Sequence, residues 1–485
     1  MAKKKLFLEN IFVYGLGGII TKMVPFIMLP IVTRLMPNSS YYGLSDLSFS
    51  LVNLLAAVAG LGIYNVLFRF YFEKDNIEYK QKVCSTALFI VFLSTCVLIV
   101  ITFVLKKFLM ELFLGSTDYF MLFLISVATA VLVCINQIVQ IPTRAQNKRT
   151  VYLFLNISSS IISYAIAIVL LLNGNYIYAV PLGFLGSYIY VQVCFQFLNH
   201  KWFKFKKVDR SLIKNFLSVS LPLMINALVY WLFSSCDKIM INQYLNAEET
   251  GIYSVGTKVA QISQLIYTAF SGGWLYYAFS TMKEQNQVES NSRLFEYLSV
   301  VSYLFSAAAM VGSKLIFKVV FTEEYLRGYL VMPYLFMSPL LQMMFETIAN
   351  QFLVIKKTWP NMIIQISCVI LNIVLNSILI PTTGIEGAAI STLISYIAML
   401  TVGMVILSKM DLFVFNNRFV ISTSLMIVFG ITWRLYLHGK ILVPAIGWVV
   451  LCSLYLLLYK NEVVMYAEEL KKYVKSKIRA TKDQK

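Results

Sequence analysis

Twelve ionisable side chains sit inside long apolar runs of this sequence: the bases Lys22, Arg34, Arg69, Lys238, Lys258, Lys314, Lys318 and Arg434, and the acids Asp46, Asp237, Glu346 and Glu386. A charge in an apolar run that crosses a bilayer costs a few kcal/mol or more, so it faces a watery cavity or a partner. The bases outnumber the acids eight to four. A cavity with that bias draws in an anion at reduced dielectric, whereas a cavity for cationic drugs would need the opposite sign.

Position along the runs separates the twelve. Lys22 lies about eleven residues into the first run, close to the midplane at ~1.5 Å per residue. Gly15, Gly17, Gly18, Pro25 and Pro30 surround it and can bend a helix and open room beside it. Cavity lining is the reading taken for Lys22, with a structural salt bridge as the alternative. Arg34, Arg69 and Arg434 fall near run ends, where snorkelling accounts for them. Lys314 and Lys318 share a face and either snorkel outward or line an outer vestibule. Asp46, the pair Asp237-Lys238, and Lys258 fall on helices that would flank a central cavity. They contact substrate or gate the cavity, or else they pair locally, for instance Asp237 with Lys258. Glu346 is either an interface-facing acid or a buried proton acceptor, and Glu386 suits the positive end of a helix dipole.

The elements that must hold these groups are transmembrane helices. The 485-residue chain is 59% hydrophobic and 13% charged, against about 25% charged in a soluble domain. Runs near the ~20 residues that span a bilayer recur throughout. They predict an all-α polytopic membrane protein with fourteen helices, near 11–36, 44–72, 83–105, 119–142, 151–172, 177–198, 215–242, 253–280, 294–320, 328–352, 361–381, 386–408, 418–437 and 441–459. With a cytoplasmic N-terminus, the loops and tails hold 29 Lys and Arg inside against 4 outside. The positive-inside rule therefore predicts a plasma-membrane protein with both termini cytoplasmic. The net charge of +18 is spread over short loops, as topology requires, and implies membrane lipids rather than nucleic acid as partner.

One gap-free offset of 208 residues relates the two halves. Gly43 and Gly251 each follow a short polar stretch, Lys148-Arg149-Thr150 returns as Lys356-Lys357-Thr358, and Ser187-Tyr188-Ile189 returns as Ser395-Tyr396-Ile397. Six spans per offset bring the chain back to the same membrane face, so the repeats are parallel. The expected organisation is a six-helix lobe over 8–198, a basic connector over 199–214, a second six-helix lobe over 215–408, two additional helices over 409–459 and a basic tail over 460–485. The connector interleaves Lys with Trp202, Phe203 and Phe205 and reads as an interfacial linker. The charges do not repeat: Lys22 aligns with Tyr230, Asp46 with Ser254, and Asp237-Lys238 with Leu29-Pro30.

No catalytic residues are expected. His200 and His438 lie outside the spans, there is no P-loop or HExxH, and the polar stretch Pro37 to Gly43 that reads as the first outer loop has no acid. The seven cysteines fall in spans without metal-type spacing and read as packing residues. No metal and no cofactor are implied.

The chain resembles the polysaccharide flippases of the multidrug/oligosaccharidyl-lipid/polysaccharide exporter superfamily. The carriers are Tyr14-Gly15-Leu16-Gly17-Gly18, Leu29-Pro30-Ile31-Val32-Thr33-Arg34-Leu35 and Tyr42-Gly43-Leu44-Ser45-Asp46-Leu47, with Asp237-Lys238-Ile239-Met240-Ile241-Asn242 and Thr250-Gly251-Ile252-Tyr253 in the second half. The resemblance implies alternating-access flipping of an undecaprenyl-pyrophosphate-linked oligosaccharide from the inner to the outer leaflet, for surface polysaccharide synthesis. Glycosyltransferases and a polymerase would be its protein partners. Substrate cations are then expected at Lys22, with Lys238, Lys258 and Arg69 next, and gating or ion coupling at Asp46, Asp237 and Glu346. An ion-coupled multidrug antiporter and a lipid II flippase of the same superfamily are the alternatives.

Overall fold

Apolar runs punctuated by asparagine, glycine and proline fold here as helices, and Asn caps decide where several of them begin. A computed structural model describes residues 23–282, 284–357, 359–465 and 468, and every regular element among them is helical. In chain order these are α1 (Met23–Leu35), α2 (Ser39–Gly60), α3 (Ile63–Tyr71), α4 (Ile77–Val104), α5 (Lys106–Leu114), α6 (Phe120–Val139), α7 (Ile141–Ala145), α8 (Arg149–Leu172) and α9 (Tyr176–Asn199) in the first half. The second half holds α10 (Arg210–Tyr244), α11 (Ala247–Ala260), α12 (Ser263–Ser280), α13 (Gln287–Val320), α14 (Gly328–Val354), α15 (Trp359–Thr383) and α16 (Ile385–Lys409), and α17 (Asn417–Thr432) and α18 (Leu442–Leu458) follow. Eleven helical stretches among the described residues are long and apolar enough to cross a membrane. Each of the fourteen expected spans carries helix among its described residues, and the chain has the fold of an all-α polytopic membrane protein.

The stretch Pro37 to Gly43, expected as an outer loop, is mostly the first turn of α2. The Asn38 side chain accepts from the Ser40 N–H, and 208 residues later Asn246 accepts from the Glu249 N–H at 2.8 Å. An N-cap satisfies orphan amides with a polar side chain, so hydropathy reads the cap and first turn as loop and starts the helix too late. The expected span 44–72 is also two helices, because Leu61 (φ 49°) and Gly62 (φ 68°) adopt the left-handed conformation between α2 and α3. Gly62 faces α10 so closely that a Cβ there would lie 2.9 Å from Leu223 Cβ.

The 208-residue offset reappears as geometry. Ser39 and Ala247 open α2 and α11, and Phe120 and Gly328 open α6 and α14. At the crossing of α2 and α11, a Cβ on Gly43 would sit 2.0 Å from the Ala247 carbonyl oxygen, and one on Gly251 would sit 2.0 Å from that of Ser39. Nearby, Ser39 Oγ donates to the Glu248 carbonyl at 3.2 Å, its N–H donates to Glu324, and Arg327 pairs with Glu249 at 2.5 Å.

The basic connector is held by the first half rather than lying free in the head groups. Lys204 N–H donates to Ser85 Oγ and Asp209 N–H to Thr86 Oγ1, both at 2.9 Å, and the Trp202 ring packs 5.6 Å from Tyr71. Asp209 then caps α10. The first part of α10 buries Phe216 against Phe70 of the first half, and its last part reaches α15 and α16, so this helix belongs to both halves.

Helices α17 and α18 pack on α13. Trp448 Nε1 donates to the Leu304 carbonyl at 3.1 Å, and Tyr459 donates to the buried Glu296 at 2.7 Å. Arg434, expected to snorkel, instead forms a two-point ion pair with Glu386, its Nη2 2.7 Å from Oε2. Glu386, expected merely to sit on a helix dipole, has in addition the Tyr334 hydroxyl at 3.0 Å. Arg434 stands where α17 widens into a π-turn, which hydropathy does not reveal.

Candidate functional site

Two turns after its Asn38 cap, α2 presents Asp46 to the second half. The carboxylate is 7% exposed, with Lys238 Nζ 2.6 Å from Oδ2 and Lys258 Nζ 3.9 Å from Oδ1. Lys238 comes from α10, two turns before its end, and Lys258 from the last turn of α11. The tight Asp46–Lys238 pair offsets part of the desolvation cost that either charge would suffer alone. Lys258 is the third member: its side chain is one-third exposed and too far from Oδ1 for a normal hydrogen bond. The cluster therefore sets two lysines against one carboxylate, and the Lys258 ammonium is the one held less closely.

That ammonium lines a cavity of about 590 Å³ between the halves, walled by Phe26 of α1, Asp46 of α2, Tyr164 of α8, Phe184 of α9, Tyr230 of α10 and Lys258 of α11. The size suits part of a large ligand.

Asp237 is adjacent in sequence to Lys238 but faces elsewhere. Its carboxylate accepts from Tyr253 Oη, Asn376 Nδ2 and Thr392 Oγ1, each at 2.6 Å. Asn372 braces this set by accepting from Asn376 and donating to Thr392, both at 3.2 Å. The local Asp237–Lys258 pairing entertained from the sequence does not form. Successive helical residues point about 100° apart, so Lys238 meets α2 while Asp237 meets α15 and α16.

The remaining expectations scatter. Glu346 accepts from Tyr267 Oη at 3.2 Å, with Gln342 Nε2 at 3.5 Å, and is not a member of the Asp46 cluster. Arg69 is exposed in the last turn of α3 and does not line the cavity. Arg34 donates to the Val319 and Val320 carbonyls at the end of α13. Lys314 donates to the Gly439 carbonyl and Lys318 is exposed. Lys22, the first choice from the sequence, lies outside the described residues. Among the described residues no three His, Cys, Asp or Glu side chains come together as a metal set.

Sequence reasoning did not single out Tyr230, Asn372, Asn376 or Thr392. Tyr230 is 75% exposed yet lines the cavity; the one hint was its alignment with Lys22 at the 208-residue offset. The Asn and Thr residues carry no periodic or charge signal, and only the packing of α10 against α15 and α16 brings them to Asp237.

Residues 7–283, more than half of the chain, match a family model described as "Polysaccharide biosynthesis protein". The chain belongs to that family. Among solved structures, it is similar to one described as the lipid II flippase MurJ in an inward closed conformation, with a TM-score of 0.65 at 14% identity over 93% of this chain and 100% of that one. It is also similar to an inward-facing multidrug resistance MATE family transporter of the MOP superfamily, with a TM-score of 0.62 at 13% identity over 80% of this chain and 95% of that one. At such identities the likeness is one of fold. No curated protein matches the chain by sequence.

Proposed function

We propose that this polysaccharide biosynthesis family member is a flippase that carries undecaprenyl-pyrophosphate-linked oligosaccharide from the inner to the outer leaflet by alternating access. The observation that carries the reading is the Asp46–Lys238–Lys258 cluster. A pyrophosphate needs cationic donors in a partly dry site, and Lys258 offers one while Asp46 and Lys238 hold each other in place. The cavity between the halves leaves room for sugars beside that charge.

In this reading residues 8–198 and 215–408 are two parallel lobes that rock about the shared site, with 409–459 riding on the second. The α2–α11 crossing closes one end, taken as the outer one with both termini cytoplasmic. Asp46 acts as a gate, because separating the halves breaks its bond to Lys238. Asp237 is the coupling residue: a buried carboxylate wrapped by neutral donors responds to a proton or small cation without disturbing the substrate charge. The Asn376 Oδ1 atom beside it is buried without a protein partner, a further oxygen for such an ion.

Transport of a fluorescent undecaprenyl-pyrophosphate oligosaccharide in proteoliposomes tests the reading. The wild-type chain should speed leaflet exchange well above protein-free vesicles, and Lys258→Ala should slow it about tenfold, the cost of one charge-assisted contact. Exchange no faster than in empty vesicles would sink the proposal. Loss of viability on deletion, in cells with no surface polysaccharide synthesis, would instead favour lipid II as cargo.

A further inference from the structure

A second cavity, of about 420 Å³, lies away from the Asp46 cluster, between the start of α15 and the end of α16. Trp359, Ile363 and Cys368 line it from α15, Val402 and Met410 from α16 and its end, and Lys357 stands at the end next to α14. Its floor is buried at Ile364 and Cys368, whereas Trp359, Ile363 and Val402 are exposed and leave it open along one side. Among the described residues no acid lines it, and Lys357 carries its one charge. The turn that places this lysine is fixed. Lys356 adopts the left-handed conformation (φ 59°) after α14, and the Lys357 N–H donates to the Phe352 carbonyl at 2.9 Å. Lys356, Lys357 and, at the end of α16, Lys409 are exposed and form no ion pair among the described residues.

We infer that this groove is a binding site for an anionic phospholipid of the inner leaflet, with one acyl chain in the groove and the phosphate at Lys357. Length selects the occupant first. Trp359 and Cys368 are nine residues apart, a rise of about 13 Å along α15, close to the ~15 Å that one leaflet contributes to a hydrocarbon core of ~30 Å. One acyl chain of a leaflet lipid therefore fills the groove from end to end, and an undecaprenyl tail would overrun it. Charge selects it next. A single basic end on an otherwise apolar trough fits a ligand that is anionic at one end and apolar along the rest. With both termini cytoplasmic, that end lies at the inner interface, where anionic lipid attracts a base with about 1 kcal/mol. Trp359 suits the same boundary, offering an apolar ring to the chain and an N–H to the headgroup. The basic pair Lys356-Lys357, which returns Lys148-Arg149 at the 208-residue offset, thus has a use beyond setting topology. The groove also adjoins the Asp237 network through one helix. Ile364, Cys368, Asn372 and Asn376 recur every four residues along α15 and all are buried, and Asn376 donates to Asp237 at 2.6 Å. A chain on the groove floor packs on the helix that supplies this donor.

Photoreactive lipids in nanodiscs holding the full chain test this site. Phosphatidylglycerol, phosphatidylcholine and undecaprenyl phosphate, each with a diazirine in its apolar chain, are supplied at equal mole fraction, and labelled peptides are mapped by mass spectrometry. Phosphatidylglycerol should label 359–368 and 402–410 about tenfold more than phosphatidylcholine does, the worth of one charge-assisted contact, and more than undecaprenyl phosphate does. At the end of α4, where Val100 and Val104 are exposed, the two phospholipids should label equally. Lys357→Glu, at an exposed position, should bring groove labelling by phosphatidylglycerol down to the phosphatidylcholine level and leave α4 unchanged. Ile363→Trp should fill the groove and remove labelling there by both phospholipids. Equal groove labelling by the two phospholipids in the wild-type chain, or labelling that neither variant alters, would overturn the site. Stronger groove labelling by undecaprenyl phosphate than by phosphatidylglycerol would overturn it as well, since the groove would then belong to a longer lipid.

Discussion

Gly43 and Gly251, 208 residues apart, meet face to face where α2 crosses α11, each against the other helix's backbone. The repeat seen in the sequence is thus a contact in the fold. Glycine is required on both sides because any Cβ would enter a carbonyl oxygen, and no flexible side chain can yield. Gly43→Ala or Gly251→Ala should destabilise the chain by about 1–3 kcal/mol, the usual cost of overpacking. Thermal unfolding in detergent reads this, and Gly273→Ala in α12 serves as the control, since its backbone is helical and a Cβ there meets nothing within 4 Å. A Gly43→Ala melting temperature equal to the control's would refute the tight crossing.

Asp46 and Lys238 depend on each other. Asp46→Asn leaves Lys238 buried with a neutral partner and should cost about 3 kcal/mol, the lower end for breaking a buried pair. Asp46→Asn combined with Lys238→Met removes both charges and should recover most of that loss, while transport stays impaired because the gate is gone. A double-mutant cycle on unfolding, set beside proteoliposome flipping, separates the two effects. Additive losses would show that the pair is not coupled.

Outside the membrane, the cap of α10 gives a pH prediction. Asp209 accepts from the Ser211 N–H at 2.9 Å and from Ser211 Oγ at 2.6 Å, and these bonds hold its carboxyl below the usual aspartate range. A carboxylate whose folded pKa is lowered contributes stability above its unfolded pKa of about 3.9 and loses it as pH falls through the folded value. Asp209→Ala should therefore loosen the start of α10 by about 1 kcal/mol at pH 7, with no difference from wild type once pH is well below 3. Asp209→Asn, an equally good cap, should stay near wild type at both. Hydrogen exchange at the Ser211 and Leu212 amides is the measurement. An Asp209→Ala effect that persists at low pH would exclude the carboxylate as its source.

Hydropathy and periodicity along the chain suffice for the class, the succession of apolar helices and the pairing of the halves through one offset, because bilayer thickness and backbone hydrogen bonding allow a long apolar segment few options. Asp46, Lys238 and Lys258 were singled out for the same reason: a charge inside an apolar run is costly wherever it ends up. Partners were not legible. Lys238 and Asp237 are neighbours in the chain yet bind different helices, since one helical step turns a side chain by about 100°. Whether Lys258 met Asp237 or Asp46 depended on how α2 crosses α11, which two glycines permit and no local pattern announces. Arg434 finds Glu386 only because the packing of α17 on α13 carries the π-turn after α17 to the first turn of α16. The donors around Asp237 come from uncharged residues on separate helices, Tyr253 on α11, Asn376 on α15 and Thr392 on α16. They meet Asp237 across sequence separations of 16, 139 and 155 residues. The sequence by itself determined what had to be satisfied; tertiary structure decided which groups satisfy one another, because burial cost is a property of a residue and pairing is a property of geometry.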